Sequence, residues 1–102
     1  PTMTIPVKAP FFEVEEDFAA TGADIYGQCA WCHGDSAISG GIAPDLRASP
    51  IVVSDKAFSE VVRDGAKRGN GMPSYSRFSG IHLKSLQHYI RQQAELALDA
   101  NN

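Results

Sequence analysis

Apolar residues recur along this chain at helical spacing, and almost nowhere at the alternation of a strand. Phe18, Gly22, Ile25 and Cys29 are four, three and four residues apart, which sets them on one face of a helix running from residue 17 or 21 to 32. Thr21, with Asp24 three residues on, is a candidate cap for an internal start of that helix. Phe58, Val61 and Val62 form the stripe of a second helix over 55–66, with Ser54 as N-cap and Asp55 in the first turn. Leu83, Leu86, Ile90 and then Ala94 or Ala97 mark a third helix over 80–98, capped by Ser79. The run Ile51-Val52-Val53 is too short to count as a strand. The pattern is that of an all-α protein.

Between these helices lie two loops rich in glycine and proline, 39–44 and 69–73, which are long for so small a chain and need something to pack against. Pro1, Pro6 and Pro10 make residues 1–16 an extended lead or interdomain linker, not a packed element, ahead of a domain over 17–102. With 102 residues, the core is marginal unless a disulfide, a metal or a bulky cofactor fills it. That length excludes a TIM barrel, a kinase or a complete dinucleotide-binding domain. The net charge of −3 argues against a general nucleic-acid binder. The charges are unevenly placed, with Glu13, Glu15, Glu16 and Asp17 near the start and Arg63, Lys67, Arg68, Arg77 and Lys84 in the second half, an asymmetry able to orient a docking partner. No segment approaches the roughly 20 apolar residues of a membrane span. A chain that opens at Pro1 implies a removed signal peptide or a piece of a longer protein.

The chemistry is concentrated in Cys29-Ala30-Trp31-Cys32-His33, a C-x-x-C-H motif at the end of the first predicted helix. This is the signature of covalent haem attachment. Two thiols one helical turn apart reach the two vinyl groups of a haem, and the adjacent histidine ligates the iron. Other readings of the same residues stand beside it. A thioredoxin-like dithiol needs a βαβ setting, and no strand precedes Cys29. A zinc site would recruit His82 and His88, but the whole middle of the chain lies between them and Cys32, where a finger leaves about a dozen residues. A disulfide across two intervening residues is strained and stabilises little.

A haem on Cys29 and Cys32 leaves a sixth iron position, for which Met3, Met72, His82 and His88 are the candidates. Met72 is preferred. Its neighbour Gly71 lets the loop approach the ring closely, and Pro73 fixes the backbone just after the sulfur. Met3 falls in the lead, and surface or capping roles suit His82 and His88. His33 and Met72 as the two metal ligands leave no open position for oxygen or peroxide and raise the reduction potential relative to two histidines. Such a group carries single electrons and makes or breaks no substrate bond. His33 needs an acceptor for its other ring N–H, and the carbonyl of Pro44 is the best placed; Leu46 is a candidate apolar wall of the pocket.

With Cys29-x-x-Cys32-His33, Pro44-Asp45-Leu46, Gly71-Met72-Pro73 and the last helix in that order, the chain resembles a class I c-type cytochrome over roughly residues 17–95. The resemblance implies a small fold of three to five helices wrapped around one covalent haem c. It also implies a right-angled crossing of the first and last helices, for which Gly22 and Tyr89 look like the small and aromatic partners. The family usually has an aromatic four residues before the first cysteine; here Ile25 stands there and Tyr26 is one residue closer. More narrowly, Cys32-His33-Gly34, Ile38-Ser39-Gly40-Gly41, Pro44-Asp45-Leu46-Arg47 and Gly71-Met72-Pro73-Ser74-Tyr75 resemble the C-terminal haem domain of quinohaemoprotein alcohol dehydrogenases. That likeness implies a pyrroloquinoline-quinone (PQQ)-dependent dehydrogenase domain or subunit as electron donor and a downstream redox protein or oxidase as acceptor. It further implies a periplasmic setting, a monomer as an isolated domain, no enzymatic activity of its own, and Arg47 poised to pair with a haem propionate. A stand-alone periplasmic cytochrome serving an unrelated oxidase or reductase is the alternative, and a gas- or peroxide-reactive haem protein a third reading.

Overall fold

The computed structural model describes residues 5–33 and 45–100, apart from the side chains of Trp31, Cys32, Asn70 and Ala100. The described residues are helical, with no strand. Four α-helices follow in order: α1 Glu16–Ile25, α2 Gly27–His33, α3 Asp55–Val62 and α4 Gly80–Ala100. Short 3-10 turns at Leu46–Ala48, Pro50–Val53 and Arg68–Asn70 join them, and the second absorbs the Ile51-Val52-Val53 run.

The expected first helix is two helices. α1 starts at Glu16, ahead of Thr21, whose hydroxyl donates to the Asp17 carbonyl at 3.2 Å and therefore caps nothing. The helical ladder then breaks at Tyr26. The Tyr26 N–H closes α1 on the Gly22 carbonyl at 2.8 Å, and the Tyr26 carbonyl accepts from Cys29 at 2.7 Å and Ala30 at 3.0 Å to open α2. The break resolves the one-residue offset of the aromatic: Tyr26 is buried, while Ile25 is only partly covered.

α3 begins as expected, with the Ser54 hydroxyl accepting from the Ala57 N–H at 3.2 Å, but it stops at Val62. Beyond it the Ser59 and Glu60 carbonyls are taken by the Asp64 and Ala66 N–H groups as the chain turns away. α4 is capped reciprocally: Ser79 Oγ accepts from the His82 N–H at 3.3 Å, and His82 Nδ1 accepts from the Ser79 N–H at 3.1 Å. This is the geometry of a capping box, with histidine in the place of the usual Glu or Gln.

Helix α4 is the axis of the molecule. Its expected stripe Leu83, Leu86, Ile90 and Ala94 is buried, and so are Ser85, Gln87, His88 and Arg91 on its other sides. Three partners account for that. α1 crosses one side at Gly22, where a Cβ would stand 1.9 Å from the Ser85 carbonyl oxygen and 2.8 Å from the Tyr89 Cβ. Just beyond the crossing, the Tyr26 and Tyr89 rings meet with centroids 5.0 Å apart. The Pro50–Val53 turn and α3 cover a second side, and Gln87 Nε2 donates to the Val52 carbonyl at 2.8 Å and to Asp55 Oδ1 at 2.9 Å.

The third partner is the N-terminal segment. Residues 5–15 hold no helix, and they are packed on the rest of the chain where the proline pattern predicts an unpacked lead. Pro6 and Ala9 are buried. The Val7 N–H donates to the Arg47 carbonyl at 2.9 Å, Arg91 Nη2 donates to the Val7 carbonyl at 2.8 Å, and the Glu15 N–H donates to His88 Nδ1 at 2.9 Å.

Two substitutions test this architecture. Gly22→Ala should force α1 off α4, because the obstructing atom is a backbone carbonyl; a loss of about 1–3 kcal/mol or more is expected from denaturant unfolding. Ser79→Ala removes one half of the cap and should cost about 1 kcal/mol with no change in spectra of the folded state.

Candidate cofactor site

The site is built from α2, the turn that carries Leu46 and the loop that carries Met72. The new start at Tyr26 sets α2 so that Cys29 and Ala30 pack on the apolar core formed by Tyr26, Val52, Phe58, Val62, Phe78, Leu83, Leu86 and Ile90. His33, at the end of α2, is buried, with 7% of its surface exposed. Leu46 and Met72 pack on the same core from elsewhere in the chain. Cys29, Leu46 and Met72 thus converge on one apolar body from three separate segments. Pro44 and the side chain of Cys32 lie outside the described residues.

The Met72 loop is held in place by bonds rather than by bulk. Gly71 takes φ +95°, a left-handed conformation that a side chain disfavours, and closes the preceding turn by donating to the Arg68 carbonyl at 3.1 Å. Met72 donates to the Lys67 carbonyl at 3.3 Å and Tyr75 to the Val62 carbonyl at 2.7 Å. The Tyr75 hydroxyl then reaches across to the Gln28 carbonyl at 3.3 Å, and Arg77 donates to the Gln28 side chain. The methionine loop is therefore tied directly to the helix that carries the cysteines. Sequence reasoning missed Gln28 and Tyr75 in this role. Their only signal was that Tyr75 closes the Gly71-Met72-Pro73-Ser74-Tyr75 stretch.

Arg47 is engaged within its own turn. Asp45 Oδ1 accepts from both the Arg47 N–H at 3.1 Å and Nε at 3.0 Å, and Oδ2 accepts from Nη2 at 2.8 Å. This forked bond raises the Arg47 pKa further. Arg47 thus secures the turn that presents Leu46, and its fork faces Asp45.

The surroundings of Cys29 separate the chemical readings. Burial pushes its thiol up to about 11, so it is protonated and uncharged at neutral pH. A redox dithiol needs the opposite shift. A thioether carries no charge and suits an apolar wall. His82 is committed to the α4 cap and His88 to the Glu15 N–H, which removes both from a zinc finger and from the iron. Among the described residues, no three His, Cys, Asp or Glu side chains lie together as a bare metal would need. Cys29 and the Met72 thioether about one apolar core, with His33 buried at the end of α2, fit a covalently held haem.

No family model matches the chain. Among curated proteins, it is 42% identical over 93 residues to cytochrome c550 of Pseudomonas aeruginosa, an alignment covering 85% of this chain and 63% of that protein. It is 46% identical over 55 residues to quinohemoprotein alcohol dehydrogenase ADH IIB of Pseudomonas putida, covering 53% of this chain and 8% of that enzyme. To the dehydrogenase subunit of the quinone alcohol dehydrogenase of Gluconobacter oxydans it is 33% identical over 72 residues, or 70% of this chain and 10% of that subunit. The chain therefore spans about a tenth or less of these dehydrogenases and under two thirds of the cytochrome. The C-x-x-C-H helix and the helical fold that carries it are consistent with a c-type cytochrome domain, similar to cytochrome c550 and to part of the quinohemoprotein and quinone alcohol dehydrogenases.

Proposed function

We propose that the chain carries single electrons through one haem c bound to Cys29 and Cys32, with His33 and Met72 as its axial ligands. A haem with both axial positions filled supplies reversible one-electron exchange and offers no vacant iron position to a substrate. The observation that carries this reading is the convergence of Cys29, Leu46 and Met72 on one apolar core, beside a helix whose last residue, His33, is buried. The protein's own part is binding and exclusion. The bonds from Tyr75 and Arg77 to Gln28 hold the Met72 loop on α2, and the Asp45–Arg47 pair holds the turn bearing Leu46. The apolar walls keep water from the ring and so favour the less charged, reduced state. Pro44, next to the Asp45–Arg47 turn, serves as carbonyl acceptor for His33 in this reading, and Arg47 borders the propionates.

The likeness to quinohaemoprotein and quinone alcohol dehydrogenases supports a PQQ-dependent dehydrogenase domain or subunit as electron donor and a downstream carrier or oxidase as acceptor. In that reading, residues 1–16 are the connector, residues 17–102 are a monomeric electron-transfer domain without catalysis of its own, and the setting is periplasmic. A free cytochrome serving another oxidase or reductase is the second reading. It is favoured by the cytochrome c550 alignment, in which this chain spans 63% of the relative, against about a tenth of the dehydrogenases.

The intact protein should exceed the polypeptide mass by one haem that resists acid extraction; a bare polypeptide from a host competent in cytochrome maturation would refute the proposal. Met72→Ala should abolish the sulfur-to-iron charge-transfer band and lower the reduction potential, and the reduced variant should bind carbon monoxide where the parent does not. Survival of the band would remove Met72 as ligand. Carbon monoxide binding by the parent would favour a gas-reactive protein.

A further inference from the structure

The N-terminal segment is attached to α4 at two points of different chemistry. At Val7 the clamp is an arginine. Arg91 is 1% exposed, donates Nη2 to the Val7 carbonyl, and is flanked there by the bond from the Val7 N–H to the Arg47 carbonyl. An arginine keeps its proton throughout the working pH range. At Glu15 the clamp is a histidine. A backbone N–H can only donate, so His88 Nδ1 must be unprotonated to accept it at 2.9 Å. Glu15 is also the N-cap residue of α1.

The chain between the clamps folds over the histidine. Phe12 turns back through its N–H to the Ala9 carbonyl at 2.9 Å and sets its ring 4.8 Å from the imidazole, and Phe18 lies 5.6 Å away on α1. The imidazole is not sealed. It borders an open cavity of about 650 Å³ that Glu13, Asp55, Arg63 and Lys84 also line. A proton from water can therefore reach a side chain that is otherwise enclosed by two aromatic rings.

We propose that residues 11–15 form a pH-gated strap on α4: a proton taken up at His88 Nδ1 removes the acceptor of the Glu15 N–H and frees the strap and the start of α1, while Val7 stays clamped by Arg91. The charged groups facing His88 come from every element packed on it. Glu13 and Glu15 stand on the strap, Asp55 and Arg63 on and just after α3, and Lys84 on α4, where it also pairs with Glu15 at 3.6 Å and lies 4.4 Å from the Phe18 ring centroid. Desolvation is the largest influence on His88 and holds its pKa below the ordinary histidine value. Glu15 and Asp55 oppose that shift and Lys84 adds to it. The docked state therefore favours the neutral ring. Docking is at full strength above the ordinary histidine pKa, weakens as the pH falls below it, and levels off once docked His88 itself protonates. The inference does not depend on which protein donates the electrons.

The test is amide hydrogen exchange by NMR on the holoprotein in its reduced form, from about pH 8 to about pH 5, the span over which histidine changes charge. Protection of the Glu15 amide, corrected for the intrinsic pH dependence of exchange, should begin to fall below the ordinary histidine pKa and level off as the docked His88 imidazole itself titrates. The fall should be roughly tenfold per pH unit between the free and docked histidine pKa values, while protection of the Val7 amide holds. His88→Asn places an uncharged acceptor near the Nδ1 position and should keep Glu15 protected across the whole range. His88→Leu should leave Glu15 unprotected at every pH. Glu15 protection that persists while His88 protonates, or a His88→Asn protein that loses it as the parent does, overturns the proposal. If the leucine variant does not fold, the parent titration decides alone.

Discussion

The rest of the molecule depends on how closely α1 comes to α4 at Gly22. The Ser85 carbonyl oxygen stands 1.9 Å from where a Cβ on residue 22 would be, so only hydrogen at this position permits the crossing. The contact brings Tyr26 onto Tyr89 and leaves the backbone free to break at Tyr26. That break aims α2, and α2 carries Cys29 and His33. A chain of 102 residues has few apolar groups with which to fix such an angle. A steric limit at one residue does what a larger core would otherwise do through bulk.

The second half of the chain completes the site by different means. α3 and the Met72 loop meet the core through Phe58, Val62 and Phe78, but their orientation relative to α2 is set by polar bonds: Tyr75 to the Val62 and Gln28 carbonyls, and Arg77 to the Gln28 side chain. The two bonds to Gln28 are exposed, where each contributes about 1 kcal/mol. Gly71 supplies the left-handed turn that leads into Met72.

Most of the architecture was legible in the sequence, because α3 and α4 follow the helical spacing of their apolar residues and carry serine caps. The C-x-x-C-H motif and the Gly71-Met72-Pro73 loop were legible because their chemistry constrains residue type as well as spacing. What remained hidden was polar and non-local. Periodicity marks Gln87, His88 and Arg91 as the wet face of α4, yet all three are buried, since the Pro50–Val53 turn and the N-terminal segment cover that face. Prolines at 1, 6 and 10 suggested a loose lead for the same reason: a proline-rich segment shows no period, and its anchors lie in α4, some eighty residues away. The split of the first helix was hidden because an uninterrupted apolar face runs through Tyr26, and nothing in a linear pattern marks a closing and an opening hydrogen bond on the same residue.

Burying Arg91 is costly unless its charge and donors are met, because desolvation works against the guanidinium and lowers its pKa, with Glu95 the acid that offsets it. One of its donors reaches Val7, while Nε and Nη1 find no acceptor among the described residues. A buried cation that is weak as a source of stability is still specific: it fixes one carbonyl of the N-terminal segment in one place. His88 fixes Glu15 farther along the same face, but with a group that changes its hydrogen-bonding sense when it takes a proton. Joined by the turn at Pro10 and Phe11, the two anchors give the segment one permanent attachment and one conditional attachment.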